Sequence, residues 1–352
     1  VKPSHDDIAN LDFSIKHFEF CNFSTLHNSN KYFSYVSQLI SYPNRFINAA
    51  SNTKSLKMIE TFLYDYSIDI IHFEHFWYAK YAFAIPKRIK KVIVYHDLHH
   101  AIFKKKIAYE KRISSKINFA VECLKFYFFE KTLDKHIDMK VFLNKSEMLA
   151  LPQKSVYIPH VVNSNIIYQE ARKTSFYNIL FLGAYSHPPN RIALQFTVKE
   201  LLPKLIEKTK NFTFHVVGAG TELLENTIEQ FIDKNYIKIQ GFKANINEAF
   251  TNMDIALFPI LYGGGIKTKI IDSMAAGVPV VTTPQGVSGL DALPQNCIGV
   301  GRTVDEITNE VLYLMNNFTI RQKRAKKSKN YIEKTYSFST FCNRVNDIYK
   351  QL

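Results

Sequence analysis

Glycine is missing from the first half of this chain. All twelve glycines lie at or beyond residue 183, so the backbone positions that need left-handed conformations or close approach are expected in the second half. Cysteine is scarce: Cys21, Cys123, Cys297 and Cys342 stand far apart. No C-x-x-C pair occurs, which removes the usual zinc and redox motifs, and scattered thiols fit a reducing, cytoplasmic setting. There is one tryptophan. Neither a signal-peptide pattern nor an apolar run long enough to span a bilayer is present. The chain opens on Val1 rather than Met, which suggests a fragment.

What is present suits two ordinary domains with a sizeable core: 352 residues, 46% hydrophobic and 22% charged. The formal net charge is +14. That balance favours an acidic partner, whether nucleotide phosphate, an anionic membrane face or nucleic acid, and is equally met by a lysine-rich solvated surface. No nucleic-acid motif accompanies the aromatics, so nucleic acid is not expected as a partner.

From residue 178 onward, apolar runs alternate with helical patterns. Strands are expected at Asn178–Gly183, Phe212–Val217, Tyr236–Gln240, Asp254–Pro259, Val278–Thr282 and Cys297–Val300. This alternation predicts an α/β fold with an open parallel sheet covered by helices on both faces. Residues 1–160 are less regular but also α/β, with strands expected at Phe13–Phe20, Asp69–Glu74, Lys91–Tyr95, Met139–Leu143 and Val156–Pro159, and one long helix over Lys106–Lys135. The polar stretch Asn163–Ser175 is read as a linker.

The most informative segment is Gly263-Gly264-Gly265-Ile266-Lys267-Thr268-Lys269-Ile270-Ile271-Asp272. A bare backbone followed by a helix start offers N–H groups and a positive dipole end to an anion. Lys267 and Lys269 add full charge where cations are otherwise unfavourable. Each charge-assisted hydrogen bond to a diphosphate would contribute about 1.5–3 kcal/mol. The alternative is a pair of solvated lysines. Asp272 follows Lys269 by three residues on nearly the same helical face, which suits a surface ion pair between them.

Residues 178–290 resemble the donor domain of retaining GT-B glycosyltransferases of family 4, in a bacterial surface-polysaccharide subgroup. The resemblance rests on Phe181-Leu182-Gly183-Ala184, Pro188-Pro189-Asn190, Val216-Val217-Gly218-Ala219-Gly220, Ile239-Gln240-Gly241-Phe242 and the block from Gly263 through Leu290, including Gly277-Val278-Pro279-Val280-Val281. It implies two Rossmann-like domains facing each other across a cleft. It also implies that Gly183, Asn190, Gly218, Gly220, Gly241, Phe242, Lys243, Gly263, Gly264, Gly265, Ile266, Lys267, Lys269 and Asp272 line the donor site, with Lys267 and Lys269 assisting departure of the diphosphate. Where the family usually carries the first of two acidic residues, this chain has Gly264, and Asp272 replaces the usual Glu, for which the resemblance implies a hydrogen bond to the ribose hydroxyls. Phe242 is read equally as core.

On the acceptor side, His96 in Tyr95-His96-Asp97-Leu98-His99-His100 matches the family histidine that faces the transferred sugar. Glu74, His75 and Trp77 match the strand end bordering the acceptor cleft, with Trp77 equally suited to the core. His72, His75, His96, His99 and His100 with Glu74 and Asp97 are weighed as a metal cluster and set aside, because no motif links the two groups. Asp-x-Asp is absent, and neither metal nor cofactor is expected. The family's opening strand and Gly-rich loop are unrecognisable before residue 183, through truncation or divergence.

The domains are expected at 1–165 for the acceptor and 176–336 for the donor, with a helix over 337–352 packing back on the first. The expected activity is retaining transfer of a sugar from a UDP- or GDP-type donor to a glycan or lipid-linked hydroxyl. A nucleotide-sugar 2-epimerase and a degenerate binding subunit are the competing readings. Lys104-Lys105-Lys106 and the aromatic helix that follows suit peripheral contact with the inner membrane face, or a core helix with a basic rim.

Overall fold

The computed structural model describes residues 53–352. The strand expected at Phe13–Phe20 and the thiol of Cys21 lie outside the described residues. The chain divides into two compact units, one holding residues up to Ile93 together with His99–Asp138, the other holding Val94–Leu98 together with Met139–Leu352.

In the first unit, β1 (Ile70–Phe73) pairs in parallel with β2 (Lys90–Tyr95). A short 3-10 helix, Phe76–Phe83, connects them. Two helices follow, His99–Tyr109 and Ile113–Leu133, where the sequence predicts one. Glu110 causes the break: its side chain accepts from the N–H groups of Lys111 (2.8 Å) and Arg112 (2.9 Å), satisfying donors at the start of the second helix. Phe76, Phe126 and Phe129 form its aromatic centre, with Phe76 and Phe129 meeting edge to face at 5.3 Å.

The second unit contains the end of β2 beside β3 (Met139–Phe142), where Leu143 N–H reaches Tyr95 O, and β3 pairs in parallel with β4 (Ser155–Tyr157). Its larger sheet has six strands: β5 (Tyr177–Leu182), β6 (Phe212–Val217), β7 (Ile237–Gly241), β8 (Ile255–Phe258), β9 (Val280–Thr282) and β10 (Gly299–Val300). They lie in the order β10-β9-β8-β5-β6-β7, and all pairs are parallel. This is a doubly wound sheet whose order reverses between β5 and β8, the place where such sheets open a crevice at their carboxyl edge. β8 is buried along its whole length, as a central strand covered on both faces must be.

The polar stretch Asn163–Ser175 is laid tightly over this unit. Arg172 grips the buried Asp254 with two hydrogen bonds (3.0 and 2.7 Å), Gln169 N–H donates to Ala276 O, and Ile167 N–H donates to Asn247 Oδ1. The helix Phe338–Tyr349 ends the chain, capped by Ser337, and its Arg344 lies over the Tyr157 ring of β4 at 5.2 Å.

Candidate functional site

Three loops leave the carboxyl ends of β5, β6 and β7 and are stitched to one another. Gly183 N–H donates to Val217 O, Gly218 N–H to Gly241 O, and Tyr185 N–H to Ala219 O. Gly218 has φ +149°, and a Cβ there would stand 2.2 Å from Gly183 O, so only glycine lets the β5 and β6 turns touch. Gly220 (φ +73°) and Gly241 (φ +66°) also occupy left-handed backbone. Phe242 projects into solvent, 72% exposed, which answers the question of whether it is core. Lys243 beside it is half-buried.

Across the switch point the loop after β8 carries the glycine triplet into the helix Thr268–Ala275. Lys269, in the first turn, reaches back under the β5 turn. Its Nζ donates to Asn190 Oδ1 at 2.5 Å and lies 4.9 Å from the Phe181 ring centre and 5.7 Å from that of Phe258. Asn190 is held by its own Nδ2, which donates to Ala184 O at 2.9 Å. A Cβ on Gly183 would meet Lys269 Nζ at 2.5 Å. Gly183, Asn190 and Lys269 are thus one cluster, and burial among the aromatic rings lowers the Lys269 pKa to about 7.

Lys267 takes a different course. Its Nζ donates to Gly264 O (3.1 Å) and Gly265 O (2.7 Å), folding over the loop that it follows. The helix-start charge that seemed to need an anion therefore already has carbonyl partners. Gln285 adds a third tie, its Nε2 donating to Gly263 O at 2.5 Å. Ile266 packs against the core. Asp272 makes no ion pair with Lys269 among the described residues. Its carboxyl is half-buried and faces the Asn163 backbone amide, and burial outweighs that donor to raise its pKa to about 6.

The strand end after β2 meets this loop within the same unit. A Cβ on Gly265 (φ +62°) would stand 2.8 Å from Asp97 Oδ1 and 3.5 Å from His96 O. His160 lies near enough to His96 for the two to repel when charged, and burial together with that repulsion lowers the His160 pKa. Gly289 comes within 3.3 Å of Asn144 Nδ2 and 3.1 Å of Gly265 O, measured from its added Cβ. The structure therefore brings together His96 and the glycine triplet. Asp97, Asn144, His160 and Gln285 are neighbours that sequence reasoning did not assign to the site. Asp97 follows His96 directly and carried the only visible signal.

Glu74, His75 and Trp77 belong to the first unit. Glu74 and His75 are exposed, and Glu74 pairs with His72 at 3.4 Å. His75 precedes the 3-10 helix that contains Trp77. His99 is stacked between Phe76 (4.9 Å) and Phe126 (5.1 Å), and His100 Nδ1 bonds the buried Glu130. Among the described residues no group of three or more His, Cys, Asp or Glu side chains is placed to hold a metal ion.

Residues 177–317 match the family described as glycosyl transferases group 1. The O-antigen biosynthesis glycosyltransferase WbnH of Escherichia coli is 24% identical over 215 residues, covering 59% of this chain and 60% of that protein. The chain thus spans about 60% of the length of the curated relatives it matches. Among solved structures, sucrose-phosphate synthase from Thermosynechococcus elongatus superposes with TM-score 0.66 at 12% identity, covering 87% of this chain and 79% of that one. Anabaena Alr3699/HepE in complex with UDP gives 0.60 at 13% identity, covering 84% and 82%. The chain has the α/β, parallel-sheet GT-B fold with two Rossmann-like domains, and its resemblance to the group 1 glycosyl transferases lies in residues 177–317.

Proposed function

We propose that this protein is a retaining glycosyltransferase of surface-polysaccharide assembly, of the family 4 type. It moves a sugar from a UDP- or GDP-linked donor to a hydroxyl of a glycan or lipid-linked acceptor. Residues 1–165 would serve the acceptor and 176–336 the donor. The reading places the enzyme in the cytoplasm, meeting its acceptor at the inner face of the membrane.

The observation that carries the proposal is the convergence, at one sheet edge, of the Gly183–Asn190–Lys269 cluster with a glycine loop that touches the His96–Asp97 strand end. A diphosphate seated there meets backbone N–H groups and the Lys269 ammonium. Both stabilise the charge that builds on the leaving oxygen. Asp272 accepts from the ribose hydroxyls, and Phe242 and Lys243 border the base. The bond from the anomeric carbon to the β-phosphate oxygen breaks. The acceptor oxygen attacks from the same face, and its proton passes to the departing phosphate. His96 orients the sugar between them. No carboxylate is needed as a covalent nucleophile, in keeping with Gly264 at the position where the family usually has an acid.

Isothermal titration with UDP, GDP and ADP and their sugars tests the donor half of this reading. Binding of one nucleoside diphosphate in the micromolar range, lost in Lys269→Met, is expected. Absence of binding by all three would sink it.

A further inference from the structure

The helix Ile113–Leu133 is apolar on two opposite sides. Phe126, Phe129 and Leu133 are buried and face its own unit. Ile113, Ile117, Leu124 and Phe128 are 76%, 59%, 58% and 63% exposed. At about 100° per residue these four fall within an arc of roughly 60°, centred about 160° from the buried three. They form a continuous line about 22 Å long. Single exposed apolar residues need no explanation, but an aligned stripe on the outer face of a packed helix does.

The charge around the stripe is predominantly positive. Lys131 falls within the same arc, its Nζ 4.8 Å from the Tyr127 ring centre, and exposed Lys116 lies beside it. The helix has two carboxylates, Glu122 and Glu130, and both belong to the packed half, where Glu122 bonds Lys125 and Glu130 bonds His100. On the adjoining chain Lys104, Lys105, Lys106, Lys111, Arg112 and Lys135 are exposed, against two half-buried carboxylates, Glu110 and Asp134. Aliphatic and aromatic side chains at intervals of four and seven residues, rimmed mainly by cations and with no outward carboxylate on the helix itself, match a surface that is apolar just beneath an anionic layer. No described helix is long and apolar enough to cross a membrane.

We infer that the outer face of Ile113–Leu133 lies in the headgroup layer of an anionic phospholipid bilayer, with Ile113, Ile117, Leu124 and Phe128 inserted among the acyl chains and Lys116 and Lys131 on the phosphates. This rests on the proposed function only for the leaflet concerned; docking itself requires no sugar transfer.

Co-sedimentation with vesicles tests the inference. The wild-type chain is expected to bind phosphatidylglycerol/phosphatidylethanolamine vesicles at least about tenfold more strongly than phosphatidylcholine vesicles. Ile117→Asp/Leu124→Asp/Phe128→Asp should lower binding to the anionic vesicles about tenfold or more, with the melting transition unchanged because the replaced side chains are exposed. Ile117→Ser with Phe128→Ser gives the same direction more gently if the triple variant folds poorly. Lys116→Ala with Lys131→Ala should erase the preference for anionic lipid. Wild-type protein that binds no vesicle, or serine variants that bind as the wild type does, overturns the inference. Titrating nucleotide into the same preparations separates the two readings: vesicle binding lost with nucleotide binding kept supports this surface, whichever way the donor site is finally read.

Discussion

Lys269 Nζ and Asn190 Oδ1 are 2.5 Å apart although 79 residues separate them in sequence. The contact joins the helix after β5 to the helix after β8, and these strands are neighbours only because the sheet order reverses between them. Lys269 is thereby sheltered beneath Gly183, and burial lowers its pKa from 10.5 to about 7. The native state then holds fewer protons than the unfolded chain between about pH 7 and 10.5, so this group makes stability rise with pH across that window. An arriving diphosphate favours the ammonium form and reverses the shift. Nucleotide binding at pH 8 should therefore take up a proton, with uptake fading toward pH 6, where the lysine is already charged. Titration calorimetry in two buffers of different ionisation enthalpy measures this directly. Equal heats in both at pH 8 would show that Lys269 does not meet the phosphates. Asn190→Ala should weaken binding about tenfold, the loss of one charge-assisted bond that orients the ammonium.

The elements around this contact differ in how readable they were. Val217 followed by Gly218-Ala219-Gly220 marks a strand and its turn, and β6 falls where the apolar run predicts, at Phe212–Val217. The glycine triplet likewise announces a loop by composition alone. Pairing Asn190 with Lys269 requires the strand order, which no local pattern carries. The break at Glu110 was illegible for another reason: neither Gly nor Pro marks it, and a carboxylate turning back on the next two N–H groups does the work of a cap. Lys267 shows the limit of electrostatic reasoning from sequence. A cation at a helix start implied an anion, but carbonyls exposed by the glycine turn serve as partners. The stretch Asn163–Ser175 looked like a linker because it is polar, yet Arg172 and Gln169 use that polarity to fasten it down.

Asp272 sits where function and stability oppose each other. Its carboxyl pKa is raised from 3.8 to about 6 by burial. A folded-state pKa above the unfolded value means that the native state is favoured by protonation, and that contribution is lost as pH rises from about 4 to 6. Asp272→Asn removes the cost of the buried charge. At pH 7 the variant should gain on the order of 1 kcal/mol after allowance for partial exposure, a rise of about 2–4 °C in melting temperature. At pH 4 the gain should vanish. Nucleotide affinity should fall, because an amide is a weaker acceptor for ribose hydroxyls. A variant that is neither more stable at pH 7 nor weaker in binding would remove Asp272 from the site.

The neighbouring glycines Gly218 and Gly220 should respond differently to the same methyl group. At Gly218 a Cβ meets backbone, 2.2 Å from Gly183 O and 2.5 Å from Gly183 C, and neither can yield without pulling β5 from β6. Gly218→Ala is expected to cost about 3 kcal/mol or more. At Gly220 the nearest atom is Tyr185 Cβ at 3.7 Å, so only the left-handed φ of +73° is at stake. Gly220→Ala should cost about 1 kcal/mol. Urea denaturation of the two variants compares them, and similar midpoints would mean that the close approach of the two turns is not what holds this edge together.

Arg172 and Asp254 fix the path of the chain into the large sheet. The Asp254 carboxylate is fully buried, whereas the Arg172 side chain is 40% exposed. The same carboxylate accepts from Asn178 N–H at 2.8 Å at the start of β5, and Arg172 O accepts from the buried Arg321 at 2.7 Å. Removing the guanidinium leaves a buried anion with one backbone donor. Arg172→Leu should therefore destabilise the protein by about 2–4 kcal/mol, read as a lower urea midpoint at unchanged slope. Neutralising the stranded partner as well, in Arg172→Leu with Asp254→Asn, should recover part of that loss, because the amide carries no charge to leave unpaired. If the double variant is as unstable as the sum of the two single changes, the pair acts through packing of the Arg172 stem, and the strap is held by Gln169 and Ile167 instead.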